Sequence, residues 1–322
     1  MLTYHQLKNR ILDHAYQHHL PVSGEFEILS QCNFDCDMCY AKGHDALLSK
    51  EDWFHLFDLA HQAGLLYALL TGGEIFLHPN FIELYNYLYD LGVKITLYTN
   101  GSLLNHRILE ALKKRPPEVV AITLYGYDEA SYQAFTKENR FKDVNRTIDL
   151  LKKHHIPLVL RTIPMPSIYE HLDEIIAYAK SKSLHLGYFL YVSTSKGQER
   201  LSPKALIDFE ERLKNAFPIK KKDHQFYCGA FKNGYFINHK GEMQACPMMP
   251  VPAKKVGKSL LDTFNECRVE WEKMLRASPC HGCQFASSCM TCVARRYLEG
   301  NAYQCSSYLK AIAVEKNNAE TN

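Results

Sequence analysis

Between Phe26 and Leu190 the chain alternates short apolar runs with longer stretches in which apolar residues recur every three or four positions. The short runs are Phe26–Leu29, Leu65–Leu70, Val93–Tyr98, Val119–Leu124, Leu158–Ile163 and Leu184–Leu190, each of a length that suits a buried strand. The longer stretches predict helices over Glu51–Ala63, Asn80–Leu91, Leu103–Lys113, Val144–His154 and Tyr169–Lys180. In the second of these Phe81, Leu84, Tyr85 and Leu88 fall on one face. Strands alternating with helices in this way mean parallel β-α units. Six units cannot close an eight-stranded barrel, so the pattern predicts an α/β protein with a partial (β/α)6, TIM-like barrel.

The flanks read differently. Residues 1–20 predict an N-terminal amphipathic helix with Leu7, Ile11 and Leu12 on one face, and the barrel core is expected over residues 21–195. Residues 196–226 read as a connecting helix, Ser202–Phe217, and a linker beginning at Pro218. From residue 227 to 310 the text turns to short hairpin signals and cysteines, with Tyr235–Asn238 and Glu242–Ala245 forming a hairpin about His239-Lys240-Gly241. A further helix is expected over Leu261–Arg276, and residues 311–322 are expected to be a flexible tail.

A net charge of +3, with no like-charge block beyond Lys220–Lys222, gives no reason to expect nucleic acid or an anionic membrane as partner. The first twenty residues lack the apolar centre of a signal peptide, and no apolar run approaches the roughly 20 residues of a membrane span. The chain is therefore expected in the cytosol, where disulfides rarely persist. That turns attention to the eleven cysteines as metal ligands or catalysts.

In parallel β-α folds the chemistry sits at the carboxyl ends of the strands. Three unusual segments fall there: Cys32-x3-Cys36-x2-Cys39 after the first strand, Gly72-Gly73-Glu74 after the second, and Thr99-Asn100-Gly101 after the third. A structural zinc normally takes four ligands. Three thiolates on one loop suit a 4Fe–4S cube with one iron left open to another ligand.

The triple cysteine resembles the signature of the radical S-adenosylmethionine (SAM) superfamily, whose open iron chelates the amino and carboxylate groups of SAM. The resemblance is inexact in one place: relatives carry an aromatic residue just before the last cysteine, whereas here Met38 precedes it and Tyr40 follows. It implies that Gly72, Gly73 and Glu74 hold the cofactor's amino group, and that Thr99, Asn100 and Thr123 lie near its ribose. Arg140 would answer its carboxylate, and Tyr40 would cover the cluster. For each of these a turn or a surface polar group remains an equal alternative. The implied chemistry is one-electron reduction of the sulfonium, release of a 5′-deoxyadenosyl radical, and hydrogen abstraction from a substrate. The resemblance also implies an electron donor of flavodoxin or ferredoxin type.

Cys228-x12-Gly241-x4-Cys246, then Cys280-x2-Cys283-x5-Cys289-x2-Cys292 and Cys305, form a second pattern. It resembles the SPASM extension, which carries two auxiliary 4Fe–4S clusters in its relatives. By that resemblance Cys280, Cys283, Cys289 and Cys305 would hold an outer cluster, and Cys228, Cys246 and Cys292 an inner one. Cys267 would be a possible fourth inner ligand or a buried free thiol. A pair of zinc knuckles is the alternative for this region. Enzymes with this layout mostly modify peptides, by crosslinking, epimerisation or oxidation, so a peptide maturase is the expectation. A small-molecule modifier and a non-catalytic zinc scaffold are the alternatives. Sulfatase-maturing relatives place an Asp after the cysteine matching Cys246, where this chain has Pro247, so that activity is disfavoured. The N-terminal helix is too short for the leader-binding module of many maturases, so a separate leader-binding protein is one possible partner.

Overall fold

The computed structural model describes residues 3–36, 38–39, 47–189, 192, 199–218, 228–289 and 291–321. A capped helix α1 (Tyr4–His18) precedes strand β1 (Ser23–Glu27). The alternation follows as α2 (Lys50–Gln62), β2 (Tyr67–Thr71), α3 (Phe81–Asp90), β3 (Lys94–Thr99), α4 (His106–Lys114) and β4 (Val119–Thr123). Then come α5 (Glu129–Thr136), α6 (Phe141–Lys153), β5 (Leu158–Thr162), α7 (Pro166–Glu170), α8 (Leu172–Ser181), β6 (Leu186–Tyr188) and α9 (Pro203–Ala216). All six expected strands are present. Helix α5 lacks a strong apolar period and forms around a local device instead, the reciprocal capping of Asp128 and Ser131. The helix expected over Tyr169–Lys180 is two, broken at His171.

Strands β1 to β6 pair in parallel in sequence order, as a partial barrel requires. The hairpin of β7 (Gly234–Ile237) and β8 (Glu242–Gln244) forms where expected, but it is not set apart from the barrel. Strand β7 pairs in parallel with β1, Ser23 opposite Gly234, and β9 (Lys254–Lys255) follows β8, giving one sheet in the order β6-β5-β4-β3-β2-β1-β7-β8-β9. Such a long-range pairing leaves no local mark in a sequence. Helices α10 (Leu260–Arg276), α11 (Val293–Leu298) and α12 (Ser307–Thr321) complete the chain.

The segment expected to be a flexible tail is helical through Thr321. Leu309, Ile312 and Ala313 of α12 are buried, α12 packs on α9, and Lys316 pairs with Glu210 at 3.1 Å. Its apolar residues lie mostly in its first half and Lys, Glu and Asn follow, so the docking on α9 stabilises it as a helix. Leu7 of α1 is 47% exposed, and Ala15 is that helix's buried contact.

Alternate residues of each strand face opposite ways. On β1, Phe26 is fully buried against Trp53 and Phe57 of α2, with ring centroids 6.5 and 5.2 Å away, so Glu25 and Glu27 face the concave side. No described helix is long and apolar enough to cross a membrane.

Candidate active site

The loop that carries the first three cysteines is fixed by the end of β2. Ile28 donates to the Thr71 carbonyl at 3.0 Å, and Gly73 and Glu74 donate to Leu29 and Gln31 at 3.0 and 2.9 Å. A Cβ at Gly73 would lie 2.0 Å from the Gln31 carbonyl oxygen and 2.9 Å from the Cys32 nitrogen; one at Gly72 would lie 2.4 Å from the Leu29 oxygen. The two glycines therefore let β2 close on the backbone that leads into Cys32. Gly73→Ala is expected to cost about 1–3 kcal/mol through forced backbone shifts, read as a lower denaturant midpoint at unchanged slope.

Glu74 is completely buried. Its carboxylate accepts from the Phe76 amide at 3.1 Å, the Thr99 hydroxyl at 2.6 Å and the Asn100 amide at 2.7 Å. It ties the end of β3 to the Gly-Gly turn. Burial raises its pKa to about 7 against the pull of those three donors. Because the folded value lies above the unfolded one, stability is fullest below about pH 4.5 and falls as pH rises to 7. In the cluster-free protein the stability of wild type relative to Glu74→Gln should therefore decline by up to about 3 kcal/mol between pH 4.5 and 7.5. A pH series of thermal melts checks it.

Asn100 joins this frame to the cysteines. Its side-chain amide donates to Asn33 at 2.9 Å and lies 3.8 Å from the Cys32 sulfur, while its oxygen accepts from the Ser102 amide and hydroxyl at 2.9 and 2.7 Å. The Phe34 amide also points at the Cys32 sulfur, at 3.4 Å. Tyr125, just beyond β4, stacks on Phe135 and meets Phe34 edge-on at 6.0 Å. Its hydroxyl is pushed well above its usual value, first by burial and then by the nearby charges of Cys36, Cys39 and Cys32. All three thiols thus lie close enough to this one ring for their charges to be felt at its hydroxyl. Burial raises the Cys32 thiol to about 11, so a metal binding there would displace a proton. Three soft thiolates with amide donors aimed at sulfur are a donor set that fits an iron–sulfur cluster.

The other residues singled out are placed as follows. The Thr99 hydroxyl is spent within the protein, donating to Glu74 and accepting from Gly101. Thr123 ends β4, half-buried, and its carbonyl accepts from Tyr132 at 3.5 Å. Arg140 precedes α6 with its side chain 44% exposed and its guanidinium on Asp143 at 3.1 Å. Tyr40 lies outside the described residues. A cavity of about 660 Å³ adjoins Tyr125, lined by Ser131, Phe135, Met165, Ile168 and His171.

Seven of the eight later cysteines fall into two groups. The Cys246 thiol is pushed up to about 12 by burial, then by the charges of Cys292 and Cys228; Cys228 likewise feels Cys292. Cys305 feels Cys289, Cys280 and Cys283. Cys267 stays fully buried in α10, where burial raises its thiol to about 11 and its charged neighbours are Lys254, Glu270 and Glu266. No other cysteine is among the charges that Cys267 feels. Among the described residues no three His, Cys, Asp or Glu side chains surround the position of a single ion. Beside the second group Arg296 is buried, donating to the Cys280 sulfur at 3.0 Å and to the Ala302 carbonyl at 2.7 Å, and its Nη2 has no partner. A buried orphan donor beside four thiols fits a group that brings its own acceptors, as a sulfide-bridged cluster does.

Residues 26–179, from β1 into α8, match the Radical SAM superfamily. The chain carries a radical SAM domain. Among curated proteins it is 26% identical over 253 residues to the antilisterial bacteriocin subtilosin biosynthesis protein AlbA of Bacillus subtilis (strain 168), covering 72% of this chain and 56% of AlbA. It is 24% identical to the AdoMet-dependent heme synthase of Methanosarcina barkeri, over 61% of this chain and 58% of that protein. It thus spans little more than half the length of these relatives. Among solved structures, Streptococcus suis SuiB bound to the precursor peptide SuiA superposes with a TM-score of 0.73 at 17% identity, covering 95% of this chain and 81% of that one. anSMEcpe with bound AdoMet gives 0.72 at 17% identity, covering 94% and 97%. These last two share the fold over nearly the whole of this chain.

Three charged residues inside the radical SAM barrel escape a motif-based reading. Arg161 of β5 lies between two rings, its guanidinium carbon 4.5 Å from the centroid of Tyr98 on β3 and 4.8 Å from that of Phe189 after β6. Glu25 of β1 faces the same interior, where burial raises its carboxyl to about 7 against the attraction of Arg161. The signal was there: a charged residue inside an apolar parallel strand, normally buried on both faces, is out of place unless it serves the interior. The same holds for Glu27, whose carboxylate meets His239 Nδ1 at 2.7 Å and so joins β1 to the β7–β8 turn.

Proposed function

We propose that this chain is a radical SAM peptide maturase with two auxiliary iron–sulfur clusters. The observation that carries the reading is the gathering of Cys32, Cys36 and Cys39 beside Tyr125 at the carboxyl end of the barrel, with two further thiol groups in the C-terminal region. When bound, the first cluster would supply an electron to SAM and so a radical able to take hydrogen from carbon.

The chain's own residues would act around it. The Gly72-Gly73 turn, closed by Glu74, sets the height of the cysteine loop, and its backbone is what it offers to the cofactor, since the Glu74 carboxylate is already filled by three donors. Asn100 and the Phe34 amide donate toward the Cys32 sulfur, which tunes a cluster held there. Tyr125 and Phe34 shield the loop from water. Cys228, Cys246 and Cys292 would hold the inner auxiliary cluster with three thiolates, Cys267 being in α10; Cys280, Cys283, Cys289 and Cys305 would hold the outer one.

Support for a peptide substrate comes from AlbA, a bacteriocin biosynthesis protein, and from SuiB, solved with its precursor peptide. Pro247 at the position of an acceptor Asp argues against sulfatase maturation. The test is incubation of the anaerobically reconstituted protein with SAM, dithionite and any short peptide encoded beside its gene. A change in peptide mass supports the reading; 5′-deoxyadenosine formed with every peptide tried left unchanged overturns it.

A further inference from the structure

Charged side chains inside a protein are normally paired, because an unpaired one forfeits its hydration without return. Glu25 and Arg161 depart from that. Both point into the barrel from strands four apart in the sheet. Among the described residues the Glu25 carboxylate has no cation within 4 Å and no hydrogen-bond donor, and the Arg161 guanidinium has no carboxylate or carbonyl acceptor. Both are half-buried, so open space remains beside each residue.

That space is built in. Arg161 stands beside Gly187 of β6 in register, and a Cβ at Gly187 would meet only the Leu160 carbonyl, 3.9 Å away. Tyr98 and Phe189 flank the guanidinium, and its one hydrogen-bond partner among the described residues is the Tyr98 hydroxyl, which leaves further N–H donors for a planar acceptor. Position distinguishes Glu25 from the residues around Cys32. The charge of Glu25 is felt by Cys228 and Cys246, while Cys32 feels Glu74 and Cys39 instead. Glu25 thus lies on the side of the inner auxiliary thiols, where it would face a substrate placed between the two cysteine groups.

We propose that Glu25 and Arg161 form a substrate subsite that orients a peptide: Arg161 donates to a carbonyl or carboxylate oxygen, and Glu25, across the interior, accepts from an N–H. This rests on the peptide reading above. No bond is made or broken by either residue; they are positioning residues for the carbon that loses hydrogen.

The experiment compares wild type, Arg161→Lys and Glu25→Gln as reconstituted holoproteins of equal iron content and equal circular dichroism. Three readouts are taken: SAM affinity, 5′-deoxyadenosine release without peptide, and affinity and product yield with a short peptide that the wild type modifies. Arg161→Lys keeps the charge but loses the fork and the stack, so peptide affinity should weaken by roughly 10-fold or more. Product formed per 5′-deoxyadenosine should fall in parallel in both variants, with SAM affinity and peptide-free release within about twofold of wild type. Loss of SAM binding in Arg161→Lys would assign the guanidinium to the cofactor and overturn the proposal. So would variants that bind and modify the peptide as wild type does. A wild-type protein that releases 5′-deoxyadenosine but modifies no peptide would instead overturn the reading on which the subsite rests, and the subsite with it.

Discussion

Replacing Cys36 with alanine is expected to abolish 5′-deoxyadenosine formation while leaving the fold in place. Cys36 is buried, 5% exposed, in the loop between β1 and α2, and its thiol gathers with those of Cys32 and Cys39 beside Tyr125. A three-thiolate site has no spare ligand, so removing one strips an iron of its only protein bond. Changes one shell farther out cost metal sites about 10–100-fold, so the loss here should exceed about 100-fold. Stability of the cluster-free protein should barely move, because the barrel is held by Phe26, Trp53, Phe57, Leu70 and Leu97, none of which needs the thiol. Iron content, 5′-deoxyadenosine yield and the melt of the metal-free form are the three measurements. An alanine variant that still releases 5′-deoxyadenosine would remove the loop from the chemistry.

Replacing Cys292 is expected to separate two activities. Cys292 precedes α11 and lies near Cys228 and Cys246, far along the chain from the first cysteine loop. With two thiols left in the inner group, a cluster there is not retained, whereas the loop after β1 is untouched. Cys292→Ala should therefore keep 5′-deoxyadenosine release within about 10-fold of wild type and lose more than about 100-fold in modified peptide, the scale expected when a metal site is dismantled rather than tuned. Equal losses in both would mean that the inner group supports the whole fold rather than the later step. The melt of the variant distinguishes these outcomes.

The sequence made the barrel legible because each unit carries its own local signal: an apolar run, a glycine or polar cluster at its end, and a helical period after it. Cys32, Gly72 and Asn100 stand at those ends, so the rim of the site was readable before any coordinates. The purpose of the two glycines was not. Gly73 is required by the Gln31 carbonyl 2.0 Å from where its Cβ would be, a contact between strands that no local pattern encodes. Likewise β7 is a plausible hairpin strand on its own, and only its parallel pairing with β1 makes it part of the barrel. Helix α12 reads as a tail because Leu309, Ile312 and Ala313 need α9 to bury against. The interior pair was hidden for a different reason: Glu25 and Arg161 look like the solvent-facing half of an alternating strand until the sheet curls and turns that side inward.

The central claim is that the three thiolates after β1 hold an iron–sulfur cluster that works on SAM. The most direct measurement is made on protein reconstituted without oxygen: iron and sulfide content with the low-temperature electron paramagnetic resonance of the reduced sample, and 5′-deoxyadenosine after addition of SAM. Cluster-bound iron whose resonance changes on adding SAM, together with 5′-deoxyadenosine release that vanishes in Cys36→Ala, is the predicted result. Stoichiometric zinc at Cys32, Cys36 and Cys39, with no resonance and no 5′-deoxyadenosine, would contradict it.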